Sequence, residues 1–199
     1  SGMDNPNRID KVIRRSFDCG RTWTDMAIVV QEHGTKQMRS SAAIDPVMVY
    51  SEKTGRVILI YSHTPAGIGI RNSKKSRGED ENGNKYVNGY ILKGEKLYKR
   101  NGGETPYTVD KNGDVFKNGT RCGNIYTGGR FKEESTSYLM MVYSDDNGET
   151  WSEPRSLNKM VKKSSMSFIG PGPGCGIEIK SGKYAGRIVV PVYFGTRTF

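Results

Sequence analysis

Ser144-Asp145-Asp146-Asn147-Gly148-Glu149-Thr150-Trp151 repeats an octapeptide met near the start of the chain, Ser16-Phe17-Asp18-Cys19-Gly20-Arg21-Thr22-Trp23. Both read Ser-x-Asp-x-Gly-x-Thr-Trp, and such a repeat points to a modular architecture. Each residue type has a mechanical task in a tight β-hairpin. The Asp accepts hydrogen bonds from the turn's own backbone N–H groups, and the Gly supplies a position with φ above zero. The Ser and Thr hydroxyls add local bonds, and the Trp is expected to drop into the hydrophobic layer beneath and pin the hairpin to its sheet. This chemistry staples a turn and catalyses nothing.

Working outward, strand signals dominate. Lys11-Val12-Ile13-Arg14-Arg15 enters the first box and Met26-Ala27-Ile28-Val29-Val30 leaves it, a hairpin with the box as its turn. Ala42 to Tyr50 and Arg56 to Tyr61 flank Glu52-Lys53-Thr54-Gly55, a second hairpin whose latter arm is apolar enough for burial on both faces. The scheme recurs: Ser137 to Tyr143 enters the second box, and Ile177 to Lys180 with Gly186 to Tyr193 bracket a Ser-Gly-Lys turn. The order box hairpin, linker, hairpin thus occurs twice, as expected of consecutive propeller blades.

Between the copies the chain turns polar and rich in Asn-Gly, at Asn82-Gly83, Asn88-Gly89, Asn101-Gly102, Asn112-Gly113 and Asn118-Gly119. Asn-Gly favours type I′ hairpin turns, and the pieces between them read as short strands. The expected organisation is therefore all-β. Residues 1–74 form the first part of a propeller, 75–135 an inserted β-meander, and 136–199 the propeller continued.

The chain has 199 residues, 25 of them Gly and 11 Tyr, and a formal charge of +10. A mean hydropathy of −0.66 fits a turn-rich β protein. No apolar run approaches the roughly 18 residues of a membrane span. No basic segment followed by an apolar one opens the chain, so no secretory signal is visible in it. The excess charge suits an anionic partner, an acidic sugar among them, or a merely solvated surface, since the cations are dispersed. Nucleic-acid binding would call for concentrated charge with aromatic platforms or a recognisable motif, and none is present. The cysteines, Cys19, Cys122 and Cys175, are odd in number and widely spaced, which argues for free thiols and against a metal cluster. No cofactor is expected.

Candidate chemistry is sparse. Asp4 precedes the first strand, where a loop carboxylate can act as general acid or base, or merely close a solvated turn. Asp45 lies in a strand-like context directly before Pro46. It either accepts hydrogen bonds from ligand hydroxyls beside an apolar wall at Ile44, or meets solvent on an edge strand. Phe168-Ile169-Gly170-Pro171-Gly172-Pro173-Gly174 alternates Gly and Pro, which would let backbone approach a ligand, but it lacks the Lys-Ser/Thr of a phosphate loop. His33 and His63 have no Ser or Cys partner pattern and read as structural or surface residues.

The two boxes resemble the Asp boxes of sialidases, where they are structural: Ser16, Asp18, Gly20, Thr22 and Trp23, then Ser144, Asp146, Gly148, Thr150 and Trp151. Ile9-Asp10 with Val12 to Ser16 resembles the strand entering the first box of bacterial exo-sialidases. Ile44-Asp45-Pro46 resembles the segment that gives an apolar residue and an Asp to the sialic acid pocket. Ser167 to Gly174 with Gly186 to Tyr193 resembles the third blade of the pneumococcal-type and leech branch, which carries a small β domain within its propeller. This resemblance, over nearly the whole chain, implies a partial six-bladed β-propeller of about two blades with an inserted meander. It implies a secreted or cell-surface exo-α-sialidase that cleaves terminal α-linked sialic acid from glycans and glycoproteins, by hydrolysis or intramolecular transfer. Such enzymes use a Tyr nucleophile, in place of the two-carboxylate scheme of most glycosidases. By the same resemblance Asp4 is the acid/base, and Ile44, Asp45, Phe168 and Ile169 contact substrate. The Tyr nucleophile, its Glu and the arginine triad have no match in this chain, so the chain alone is expected to be inactive. The alternative is a non-catalytic Asp-box propeller that binds carbohydrate or acts as a scaffold.

Overall fold

The computed structural model describes residues 7–34 and 39–196. The strands run in chain order as β1 (Lys11–Ile13), β2 (Ala27–Val30), β3 (Ala42–Ser51), β4 (Arg56–Thr64), β5 (Tyr86–Val87), β6 (Tyr90–Lys93), β7 (Lys96–Lys99), β8 (Glu104–Val109), β9 (Asp114–Lys117), β10 (Thr120–Asn124), β11 (Tyr138–Ser144) and β12 (Arg155–Ser156). A single helical turn, α1 (Asn158–Val161), precedes β13 (Ile169–Pro171), β14 (Gly174–Cys175), β15 (Ile177–Glu178), β16 (Ile188–Val189) and β17 (Val192–Phe194).

The principal sheet has the order β12-β11-β4-β3-β14, antiparallel except at β14. Its pairing regroups the sequence repeat. The hairpin β3–β4 belongs to the first copy, yet β4 pairs along its length with β11, the strand that enters the second box. The sheet is therefore offset by half a repeat. It completes one four-stranded unit from both copies and leaves β1–β2 before it, and β13–β17 with β15–β16 after it, as two-stranded pieces. The apolar arm β4 explains the choice, since Leu59 through Thr64 are buried and need neighbours on both edges and both faces.

Residues 86–124 form a separate sheet, β10-β9-β8-β7-β6-β5, a meander in strict sequence order. At Asn118-Gly119, between β9 and β10, both residues have positive φ, at 50° and 80°, as a type I′ turn demands. One face of the meander buries Val87, Leu97, Val109 and Val115 against Ile125 and Phe131. The main sheet has one core on each face. Val30, Ala43, Leu59, Tyr61 and Val142 lie on one side, and Ile60, Leu139, Met166 and Ile169 on the other.

Both boxes form, and their bonds match residue for residue. Asp146 accepts from Ser144 Oγ at 2.7 Å and from Thr150 N at 2.9 Å, as Asp18 does from Ser16 Oγ at 2.8 Å and Thr22 N at 2.8 Å. The two tryptophans differ. Trp151 packs against the Val30–Val142 core, as expected. Trp23 instead stays 55% exposed and donates its indole N–H to Gly20 O at 3.1 Å. The reason is that β1–β2 is a bare two-stranded sheet with Ile28 and Met26 also facing outward, so no layer lies beneath Trp23.

Candidate functional site

The register separates two ends of the principal sheet. Ser51, Val57 and Ser144 mark the end that carries the second box, and Ala42, Thr64 and Tyr138 mark the other, about 20 Å away at strand rise. The meander leaves and re-enters the sheet at this second end, and Asp45 lies there.

Asp45 is held in an unusual backbone state. Pro46 cannot donate to the ladder, and the pairing of β3 with β4 slips between Ile44–Ser62 and Val47–Ile60. The extra residue leaves Asp45 at φ 50°, a region that Asp tolerates better than most residues. The Tyr193 hydroxyl donates to Asp45 Oδ2 at 2.8 Å, and the Tyr193 ring stacks on Phe168 with centroids 5.7 Å apart. Burial, reinforced by that hydrogen bond, raises the Tyr193 hydroxyl well above the ordinary tyrosine range, so it remains a donor. Gly170 pairs with Tyr193 across β13–β17, and a Cβ there would sit 2.5 Å from Ser62 Oγ. A side chain at 170 would therefore press on Ser62 of β4.

Of the residues singled out in the sequence, Ile44 and Asp45 are part-exposed at this end. Phe168 and Ile169 are 1% and 2% exposed, so their side chains lie in the core rather than on a ligand-facing surface. Ile169 belongs to the cluster around Ile60, and its carbonyl accepts from Ser62 Oγ and Ser137 Oγ, each at 3.1 Å. Phe168 reaches Asp45 only through Tyr193, which sequence reasoning placed in a strand and gave no role. Asp4 lies outside the described residues. The box residues stand at the opposite end, in keeping with a structural task.

The same end holds a buried ionic cluster that the sequence did not reveal. His63 on β4 places Nδ1 2.8 Å from Glu32 Oε1 and Nε2 2.9 Å from Glu133 Oε2. Lys85 donates to Glu133 Oε1, and Ser41 Oγ donates to Glu32. Burial pulls His63 towards neutrality, but the two carboxylates outweigh it and raise the ring to about 10. Burial acts against the Glu133 charge in turn, and Lys85 with His63 overcome it, holding the carboxyl at about 2. Two cations face two carboxylates, and the cluster ties the segment after β2, strand β4 and the meander together. His33, half-buried, stacks on Tyr126 at 4.0 Å.

Two cavities flank this end. One, of about 470 Å³, is lined by Arg39, Ala66, Gly67, Lys132 and the glycine-rich turn Thr127–Gly129. The other, of about 420 Å³, runs from this end along the β4–β11 face towards the second box, between the segment Val29–His33, the meander and Trp151–Pro154. Among the described residues no group of His, Cys, Asp and Glu is placed to hold a metal ion, and no helix is long and apolar enough to cross a membrane.

No family model matches the chain. It is 26% identical to the anhydrosialidase of the leech Macrobdella decora, over 96% of this chain and 32% of that protein. It is 24% identical to sialidase B of Streptococcus pneumoniae, over 96% of this chain and 34% of the relative. Among solved structures, the intramolecular trans-sialidase of Ruminococcus gnavus, in complex with oseltamivir carboxylate, superposes with a TM-score of 0.79 and 27% identity, over 96% of this chain and 50% of that one. The leech intramolecular trans-sialidase complexed with 2,7-anhydro-Neu5Ac gives a TM-score of 0.80 at 24% identity, over 98% of this chain and 36% of that one. These likenesses relate the chain to the bacterial and leech sialidases and to their propeller fold. The chain spans about a third of the length of the curated relatives it matches.

Proposed function

We propose that this relative of the bacterial and leech sialidases is part of an exo-α-sialidase, secreted or at the cell surface, that releases terminal sialic acid from glycans. In this reading residues 75–135 are a unit inserted into the propeller, and Asp4 is the acid/base. The observation that carries it is Asp45, fixed at φ 50° in a bulge beside Pro46 and held by Tyr193, within a fold that follows the Ruminococcus gnavus trans-sialidase over 96% of the chain. Asp45 and Ile44 face the substrate, whose hydroxyls the carboxylate accepts. Phe168 and Ile169 act from behind, one through the ring of Tyr193 and the other through the strand that carries it.

The cavity at the same end supports an anionic substrate. Arg39 and the half-buried Lys132 line it, and a sialic acid carboxylate entering there would meet positive charge. Exposed apolar groups on the lateral two-stranded sheets, among them Val12, Ile28, Ile177 and Phe194, suit burial against neighbouring blades of a full propeller. The test is the full-length gene product on a fluorogenic sialoside, with product analysis to separate free sialic acid from an anhydro sugar. Release of neither product sinks this reading in favour of a non-catalytic, carbohydrate-binding propeller.

A further inference from the structure

Six Asn-Gly pairs stand in the chain, beginning at Asn82, Asn88, Asn101, Asn112, Asn118 and Asn147, and all six share one latent reaction. The backbone nitrogen that follows an Asn can attack the Asn side-chain carbonyl carbon, and a glycine, with no Cβ, hinders that attack least. A nitrogen whose N–H is already donated to a fixed acceptor is held away from that carbon, so the hydrogen bonds decide which pairs react. Four glycines are held in this way. Gly83 N donates to Asp80 O at 3.0 Å, Gly102 N to Lys99 O at 2.9 Å and Gly113 N to Asp110 O at 2.9 Å, and Gly148, which is buried, donates to Ser144 Oγ at 2.7 Å.

The other two pairs, Asn88-Gly89 and Asn118-Gly119, are the two-residue turns of the hairpins β5–β6 and β9–β10, and among the described residues neither glycine nitrogen donates to a protein acceptor. Asn88 is tied by its side chain, whose Nδ2 donates to Arg130 O at 2.8 Å. Asn118 has no such tether among the described residues, is exposed, and precedes a glycine with open space where a Cβ would stand. Its hairpin also carries β10, an edge strand paired only with β9, so the turn opens at low cost. We propose that Asn118 deamidates spontaneously, ahead of the other five pairs, and that the isoaspartate formed there disturbs the pairing of β10. Gly119 N bonds to Asn118 Cγ, the Cγ–Nδ2 bond breaks, and the amine leaves with the Gly119 proton as ammonia. Water then opens the cyclic imide at either carbonyl, which yields aspartate or isoaspartate and adds one negative charge to a chain of formal charge +10. Isoaspartate lengthens the main chain by a methylene, and a two-residue turn absorbs that only by shifting the Lys117–Thr120 register.

Storage of the full-length protein at mildly alkaline pH, followed by peptide mapping with mass spectrometry, ranks the six sites. Asn118 is expected to convert about fivefold faster than any of the others, the effect of one hydrogen bond, and to lose that lead in urea, where all six glycine nitrogens are free. The isoaspartate form, separated by ion exchange, is expected to melt below Asn118→Asp, which carries the same charge without the extra methylene and tolerates positive φ. The proposal is overturned if another of the six pairs leads in the folded protein, if urea leaves the lead of Asn118 intact, or if the isoaspartate form melts with Asn118→Asp.

Discussion

His63 Nε2, on the central strand β4, stands 2.9 Å from Glu133 Oε2, at the end of the meander just before the chain rejoins the sheet. Its other ring nitrogen meets Glu32 at 2.8 Å, so one imidazolium joins the meander to the segment that follows the first hairpin.

The pH dependence of stability follows from this cluster. His63 is raised from 6.5 to about 10, so its contribution is full below pH 6.5 and is lost as pH rises through about 10. Glu133 is depressed from 4.5 to about 2, so its contribution is full above pH 4.5 and is lost as pH falls towards 2. Both are complete between those limits. His63→Ala strands two buried carboxylates and is expected to cost about 3–5 kcal/mol near pH 6, with the deficit shrinking towards pH 10. Urea unfolding of both proteins across this range measures it; a deficit that does not vary with pH rules out a charged His63.

The two boxes are chemically alike but not equally supported. Hydrogen bonds from Thr150, side chain and backbone, hold the Asp146 carboxyl at about 2, and those from Thr22 do the same for Asp18. Asp146→Ala releases a turn whose Trp151 is built into the core, whereas Asp18→Ala releases one whose Trp23 faces outward. Thermal melting is expected to show the larger loss for Asp146→Ala. Equal losses would mean that the turns act alone, without their tryptophans.

Asp45 can be tested with little damage to the fold, because Asn also tolerates positive φ. Asp45→Asn keeps the Tyr193 hydroxyl bonded and removes the charge. In the full-length protein it is expected to lower kcat/KM on a sialoside by about 10- to 100-fold, the loss of a charged hydrogen bond of roughly 1.5–3 kcal/mol. Tyr193→Phe frees the Asp45 side chain but keeps the stack on Phe168, and a smaller loss, about fivefold, is expected. Wild-type turnover in Asp45→Asn would remove Asp45 from the site.

The contrast between these residues shows what a sequence carries. The five Asn-Gly pairs between the boxes mark turns, but of these only Asn88-Gly89 and Asn118-Gly119 have both residues at positive φ as a type I′ turn demands; at 82, 101 and 112 the following glycine alone is positive. The boxes and the apolar arm of β4 were legible because their causes are local: a carboxylate bonds two to four residues away. The half-repeat offset was not, since the pairing of β4 with β11 is a contest among strands of similar composition. Nor was the His63 cluster, whose partners lie 31 and 70 residues away with no motif linking them. Its one trace is a histidine following the apolar run of β4, where a buried imidazole needs partners. Tyr193 went unassigned because Asp45, its partner, is 148 residues distant. Phe168 and Ile169 sit beside a Gly-Pro run that reads as exposed loop, but β13 draws them into the core.

A buried lysine gives the last prediction, with the opposite sign to His63. Lys162 is 3% exposed and donates to Thr136 Oγ1 at 2.5 Å and Ser137 O at 2.7 Å, with no carboxylate in direct contact among the described residues. Burial lowers it from 10.5 to about 7, against the weaker upward pull of Glu79 and Glu134. The folded protein therefore binds this proton less well than the unfolded chain. The penalty is complete below pH 7 and vanishes above pH 10.5. Replacement does not orphan its partners, because Ser137 O still accepts from Asn158 Nδ2 at 3.1 Å and Thr136 Oγ1 still donates to Ser167 O at 2.8 Å. Lys162→Met, similar in volume, is thus expected to be more stable than wild type at pH 6, by on the order of 2 kcal/mol, with the gain fading towards pH 10. Denaturant titrations at the two pH values decide it; a Lys162→Met protein less stable than wild type at pH 6 would mean that the ammonium is held by its two oxygen partners more firmly than burial opposes it.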